Sequence, residues 1–142
     1  MSPPPGRLVL PAAIRDEMVA ACLDEYPLEA CGLLGGVEDP AGASSITASY
    51  PAHNAAASSR VYTVEPRDLL RADRAAEAAG VALLGVWHSH THTDAYPSPT
   101  DVAQAPDPDW HYVLISLRDD EPVVRSYRIR DGRPEEEQVV LR

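Results

Sequence analysis

The stretch Val81-Ala-Leu-Leu-Gly-Val-Trp87 contains no charged residue and runs directly into His88-Ser89-His90. A continuous apolar run marks a central strand covered on both faces, because a strand with one wet face alternates instead. The chain must therefore build layers on both sides of this strand. Side chains alternate along it, so His88 and His90, at its C-terminal end, point to the same side and can meet at one ion. Ser89 points the other way and reads as structural.

The rest of the pattern supplies those layers. Residues 1–7 read as a short tail and residues 8–142 as one domain. Pro11 opens a helix whose Ile14, Met18 and Cys22 share a face, and Pro27 ends it. Ala30 to Val37 reads as a Gly-rich buried strand, closed by the turn Asp39-Pro-Ala-Gly42. Ile46 to Tyr50 and Arg60 to Val64 are further strand candidates around a polar loop that holds His53 and Asn54. A second helix from Pro66 to Ala79 turns Leu69, Ala72, Ala76 and Ala79 inward, with Gly80 as its stop. Ser98-Pro-Thr-Asp101 has the form of a helix N-terminus. His111 to Leu117, Val123 to Ile129 and Glu136 to Leu141 alternate as strands, the last two joined at Asp131-Gly132. This order predicts an α+β domain with a mixed central sheet flanked by helices.

At 142 residues the chain is the size of one ordinary domain. Its 22 acidic and 12 basic residues give a net charge of −10, which argues against nucleic acid or an anionic membrane as the main partner. No apolar run approaches the roughly 20 residues of a membrane helix, and the start lacks a secretory pattern. The expected location is the cytoplasm. Cys22 and Cys31 form neither a CxxC pair nor a disulfide scaffold, and both read as packed core residues. HExxH, GxSxG, PCxxC and Gly-rich phosphate-loop motifs are all missing from the sequence.

The histidine pair is the start of a site. Asp101, eleven residues beyond His90, can add a carboxylate from the next helix. Two imidazoles and a carboxylate suit Zn²⁺ and leave a fourth position for water, as catalytic zinc requires; ligand softness leaves Fe²⁺ and Co²⁺ open. Ser98 can donate to an oxygen that becomes anionic when a carbonyl is attacked, and its spacing to Asp101 is also that of a capping box. Such a site needs a base, usually a carboxylate, and spacing does not choose among the acids. Glu29 is favoured because it immediately precedes a strand that can lie beside the one carrying His88. His53, Asn54 and His92 occupy loops and receive no role.

His-Ser-His, seven residues, Ser98, two residues and Asp101, with Glu29 upstream in Pro-Leu-Glu-Ala-Cys-Gly-Leu-Leu-Gly, together resemble the JAMM (MPN+) metalloprotease family. The likeness runs from the first helix to the strand and turn at Arg125 to Gly132. It implies a JAMM/MPN-like domain with cytidine-deaminase-like layering and one zinc ion held by His88, His90 and Asp101. It also implies Glu29 as general base and Ser98 as stabiliser of the tetrahedral intermediate. His-Ser-His-Thr and Ala-Tyr-Pro-Ser-Pro-Thr-Asp are most similar to the small bacterial branch. Members of that branch cut adducts from the C-terminus of ubiquitin-like sulfur-carrier proteins, and actinobacterial ones free cysteine from a carrier–cysteine conjugate. Thr91 stands where deubiquitinating relatives usually carry Pro, and the chain has no room for the insertions with which they grip ubiquitin.

The resemblance therefore implies a zinc peptidase that cuts after the Gly-Gly tail of such a carrier, with the tail added as a strand to a sheet edge. Two other readings stand beside it. One is an MPN-type scaffold that binds without cutting; such scaffolds usually lack a ligand residue, and this sequence lacks none. The other is a zinc hydrolase acting on a different conjugate.

Overall fold

The computed structural model describes residues 6–142. In chain order its elements are β1 (Arg7–Leu10), α1 (Ala12–Glu25), β2 (Cys31–Glu38), β3 (Ala43–Ala52), α2 (Pro66–Ala78) and β4 (Ala82–His90). They continue with α3 (Pro99–Ala103), β5 (His111–Ser116), β6 (Val123–Arg130) and β7 (Arg133–Leu141). β4, the apolar run, lies between β2, to which it is antiparallel, and β5, to which it is parallel. Leu34, Trp87, Val113 and Ile115 pack on one face with Ile14, Met18 and Cys22 of α1. Leu33, Val86 and Tyr112 pack on the other with Ala72 of α2. Helices thus cover both faces of the central strands, which is what an unbroken apolar strand requires.

The margins of the sheet differ from expectation. The strands follow the order β1-β3-β2-β4-β5-β6-β7, and β1 pairs in parallel with both β3 and β7, so the sheet closes on itself. The expected mixed sheet is present, but it is closed, where cytidine-deaminase-like layering was expected. Its closing strand has 4 residues, adjoins Pro11, and has partners far along the chain, so no local pattern marks it. Arg7, expected in the tail, is the first residue of β1, while residues 1–5 of that tail lie outside the described residues. Every strand has two neighbours, so the expected addition of a substrate tail to a sheet edge finds no edge strand among the described residues.

Two further expectations change. Arg60–Val64 is irregular chain with a single bridge from Val64 to Asn54. Its strand-like alternation arises because Tyr62 and Val64 pack against the Leu33 and Val86 cluster, which is burial without a ladder. Leu69 of α2 and Ala79, which caps its end, are exposed, and the buried face of α2 consists of Ala72 and Ala76. Among the described residues no helix is long and apolar enough to cross a membrane.

Close packing accounts for the Gly-rich strand. The Trp87 indole crosses β2 above Gly32 and donates to Ser49 Oγ at 3.0 Å. A Cβ at Gly32 would lie 2.4 Å from that ring. At Gly85 the neighbouring backbone comes as near, with His111 O 2.3 Å from the position of a Cβ.

Away from the histidine pair, a buried polar network ties four strands. His111 Nδ1 donates to Glu137 Oε2 at 2.6 Å, and the same oxygen accepts from Ser126 Oγ at 2.7 Å. Arg128 Nε donates to Glu137 Oε1 at 3.3 Å, and Ser44 Oγ donates to His111 Nε2 at 2.7 Å. Ser44, His111 and Glu137 have the spacing of a hydrolytic triad, but all are sealed from solvent, so no substrate reaches the hydroxyl. The network is a tie between β3, β5, β6 and β7.

Burial raises the Glu137 carboxyl, and the contacts with His111, Ser126 and Arg128 more than offset it, holding the group below its ordinary value. Its stabilisation is therefore complete above the unfolded value of about 4.3 and is lost as pH falls through the lower folded one. Glu137→Gln is expected to cost about 3–5 kcal/mol at neutral pH by leaving Arg128 buried and unpaired. Urea unfolding at neutral and acid pH checks this: the variant should lose part of the wild-type acid sensitivity. Wild-type stability in the variant would show that the network ties nothing.

Candidate active site

β4 delivers His88 and His90 to the face shared with Val86, where both are buried. Ser89 turns to the opposite face and accepts a hydrogen bond from the Ala30 N–H at 2.8 Å, pinning the start of β2. The chain then folds back in a loop held at several carbonyls. His90 Nδ1 donates to Asp94 O at 2.7 Å, Ser116 Oγ to Thr93 O at 2.6 Å, and Tyr127 Oη to Ala95 O at 2.5 Å. That loop ends at Ser98, which caps α3. Asp101 N–H donates to Ser98 Oγ at 3.0 Å and Ser98 N–H to Asp101 Oδ2 at 2.9 Å. This capping box turns the Asp101 carboxylate toward the histidines.

The structure brings His88, His90 and Asp101 together. Asp101 Oδ2 lies 3.2 Å from His88 Nε2 and 3.0 Å from His90 Nε2, and the two nitrogens are 3.3 Å apart. Because His90 donates through Nδ1, its Nε2 carries a lone pair in the neutral ring, and this lone pair faces a carboxylate oxygen. Acceptors turned on one another repel unless positive charge lies among them. A shared proton relieves one pair; a cation at the centre relieves all three. Bonds of about 2.0–2.1 Å at tetrahedral angles place ligand atoms roughly 3.3 Å apart, so these residues fit a tetrahedral ion.

The electrostatics agree with that geometry. Burial pushes the His88 imidazolium below its ordinary range. Burial acts on His90 in the same direction, but Asp101 and the Asp94 carbonyl raise it overall. Burial raises the Asp101 carboxyl, and the two imidazoles with the Ser98 N–H hold it well below the usual carboxylate range. His88 Nδ1 is buried without a hydrogen-bond partner, and its ring is oriented by stacking on Tyr62, with centroids 4.1 Å apart and planes at 21°. Tyr62 is a site residue that the sequence reading missed, since a tyrosine in an irregular segment carries no spacing signal.

Glu29 lies just before β2 and is buried, with Oε1 unpartnered. Burial foremost, with a further contribution from Asp101, raises its carboxyl to about 7 against the opposing effect of His90. An acid that titrates near neutrality beside three convergent ligand atoms can take up and release a proton during turnover. The remaining residues fall outside this group. Burial pushes the Cys31 thiol up to about 12, which leaves it inert as a nucleophile. His53 is exposed and pairs with Asp68 at 2.9 Å. His92 is exposed and meets Tyr26 edge-on at 5.8 Å. Asn54 hydrogen-bonds to the Glu29 carbonyl.

A mixed sheet with His-x-His at the end of its central strand and a Ser/Asp capping box behind it defines a class. The chain belongs to the family of prokaryotic homologs of the JAB domain, whose model matches residues 11–130. It is similar to the CysO-cysteine peptidase of Mycobacterium tuberculosis, at 43% identity over 133 residues, covering 93% of this chain and 89% of that one. It is also similar to the desampylase of Haloferax volcanii, at 36% identity over 116 residues, covering 78% and 81%. Among solved structures, a solution structure of a Desulfitobacterium hafniense protein superimposes with a TM-score of 0.88 at 34% identity, covering 95% and 92%.

Calorimetric titration of metal-free protein with a divalent ion is expected to give one site per chain. His88→Ala or Asp101→Ala should abolish it. Tyr62→Ala should weaken it by about 10–100-fold, the usual effect of losing a group that orients a ligand, and Tyr62→Phe should retain it. Unaltered affinity in Tyr62→Ala would show that the stack does not set the ring.

Proposed function

We propose that the chain is a zinc peptidase that cuts after the C-terminal Gly-Gly of a ubiquitin-like sulfur-carrier protein and releases cysteine or a short adduct. The observation that carries this reading is the convergence of His88, His90 and Asp101 beside a buried, unpaired Glu29. The 43% identity to a CysO-cysteine peptidase supports the substrate class. The likeness to a desampylase favours an isopeptide-type bond as a second substrate of the same site. The domain includes β1 from Arg7 onward and works in the cytoplasm, a location that the free thiols of Cys22 and Cys31 support. A net charge of −10 disfavours nucleic acid as a partner.

His88, His90 and Asp101 would hold the zinc, which supplies a Lewis acid for water and for the scissile carbonyl. Glu29 takes a proton from the attacking water, and burial poises its carboxyl for this near neutral pH. Ser98 Oγ already accepts the Asp101 N–H, which leaves its own proton to donate to the carbonyl oxygen as negative charge develops. Glu29 then passes its proton to the departing amine as the C–N bond breaks. Glu29→Gln is expected to lower kcat by about 10²–10⁴-fold with metal retained, and Ser98→Ala by about 10²–10³-fold.

The deciding measurement is the intact mass of a Gly-Gly-tailed carrier extended by one cysteine, before and after incubation with zinc-loaded protein. Loss of that one residue, blocked by a chelator and by Glu29→Gln, is the expected result; unchanged mass with zinc bound would overturn the substrate reading. Activity should also fall as pH drops through the Glu29 value, at or below about 7, since the base must be ionised and bound zinc can only lower that value. A rate that rises as pH falls from 8 to 5 would remove Glu29 from the role.

A further inference from the structure

Glu29 belongs to neither α1 nor β2, so no helix turn or sheet ladder holds its backbone. Its carboxyl end is no better anchored, because Oε1 is buried with no partner. A base must keep its head free to accept a proton, so its position has to be set from the main chain. Both main-chain anchors come from one irregular segment between β3 and α2. Glu29 N–H donates to Ser58 O at 2.8 Å, and Glu29 O accepts from Asn54 Nδ2 at 3.0 Å.

Asn54 is built for this. A carboxamide offers two donor hydrogens and two acceptor lone pairs, and here all four are used. Oδ1 accepts from Ala56 N at 3.0 Å and Thr63 N at 2.9 Å, which closes its own loop. Nδ2 donates to Val61 O at 3.0 Å and, across 25 residues of sequence, to Glu29 O. Closing an asparagine turn needs only the acceptor half. The donor half is shared: one hydrogen also ties the loop at Val61 O, while the other leaves the loop for Glu29 O and does a second job.

Resting on the reading of Glu29 as general base, we infer that Asn54 is a positioning residue for it, the Nδ2–H···O=C bond holding the Glu29 backbone so that its unpaired carboxylate stays beside the metal ligands. Displacing a reacting group by about 1 Å costs on the order of 10²-fold in rate, so the effect belongs in kcat.

The test uses the full zinc-loaded chain with Asn54→Asp, which keeps both acceptor bonds of the loop but turns an oxygen toward the Glu29 and Val61 carbonyls. Amide exchange of the Glu29 N–H, followed by NMR, should accelerate by about tenfold or more. On the high-pH plateau, where Glu29 is ionised in both proteins, kcat should fall by about 10–100-fold with KM and zinc affinity unchanged. Asn54→Ala removes both halves and should also lower zinc affinity, because the loop carries Tyr62 against His88. Wild-type exchange and wild-type kcat in Asn54→Asp would overturn the inference. So would a parallel loss of kcat, KM, zinc affinity and melting temperature, which would make Asn54 a residue of the loop fold alone. Should the wild-type chain cut no carrier, the proposed function fails by itself; the exchange measurement still decides whether Asn54 holds Glu29.

Discussion

Three acceptor atoms held about as far apart as the corners of a tetrahedron around a small cation repel one another, and the fold must supply the force that keeps them there. The supply is mechanical. β4 is laddered on both sides and covered by a helix on each face, so His88 and His90 have almost no freedom to separate. Asp101 is held by its own capping box, which commits Oδ2 to the Ser98 N–H while leaving it turned toward the imidazoles. Most of the molecule can be understood as support for that arrangement. Trp87 locks β4 to β2 and β3 through the space left by Gly32, and Ser89 locks it to the start of β2.

The site has two kinds of support with different physical character. The ligand atoms come from a strand and a helix cap, elements whose geometry is repeated and stiff. Glu29, the proposed base, and the aromatic ring over His88 depend instead on the irregular segment between β3 and α2. It contacts Glu29 through Ser58 and Asn54, His88 through Tyr62, and the end of β4 through the hydroxyl of Thr91 on Ser59 O. A metal centre tolerates little displacement of its ligands, whereas a base must gain and lose a proton and cannot be bound at its head. Division between a rigid frame for His88, His90 and Asp101 and a main-chain-anchored Glu29 suits those two demands.

The far part of the sheet solves a separate problem. Closing a sheet brings together strands distant in the chain, and the 4-residue β1 buries Leu8 and Leu10 in the core to do so but offers only a short ladder. The His111, Glu137, Ser44, Ser126 and Arg128 network supplies a directional tie at that place, with every member satisfied. A fully satisfied buried network specifies one arrangement of strands more strictly than apolar contact does, because any slip of register leaves a buried polar atom without a partner.

What local pattern determines was legible without a structure. The apolar run placed β4 in the centre, alternation aligned His88 with His90, and the Ser98/Asp101 spacing placed a helix cap beside them. Glu29 was legible as the acid heading a strand, but its choice as base came from family resemblance. Pattern failed where burial or pairing was decided by distant residues. β1 was missed because two alternations beside Pro11 carry no signal until β3 and β7 lie next to them. Arg60–Val64 was read as a strand because Tyr62 and Val64 are buried, and burial alone does not make a ladder. Asn54 and Tyr62 had no spacing that distinguished them from any loop residue. The sequence by itself determined which atoms can bind a metal, since ligand chemistry and strand period are local. Only the tertiary structure decided what holds Glu29 and closes the sheet, because those contacts join segments that nothing but folding brings together.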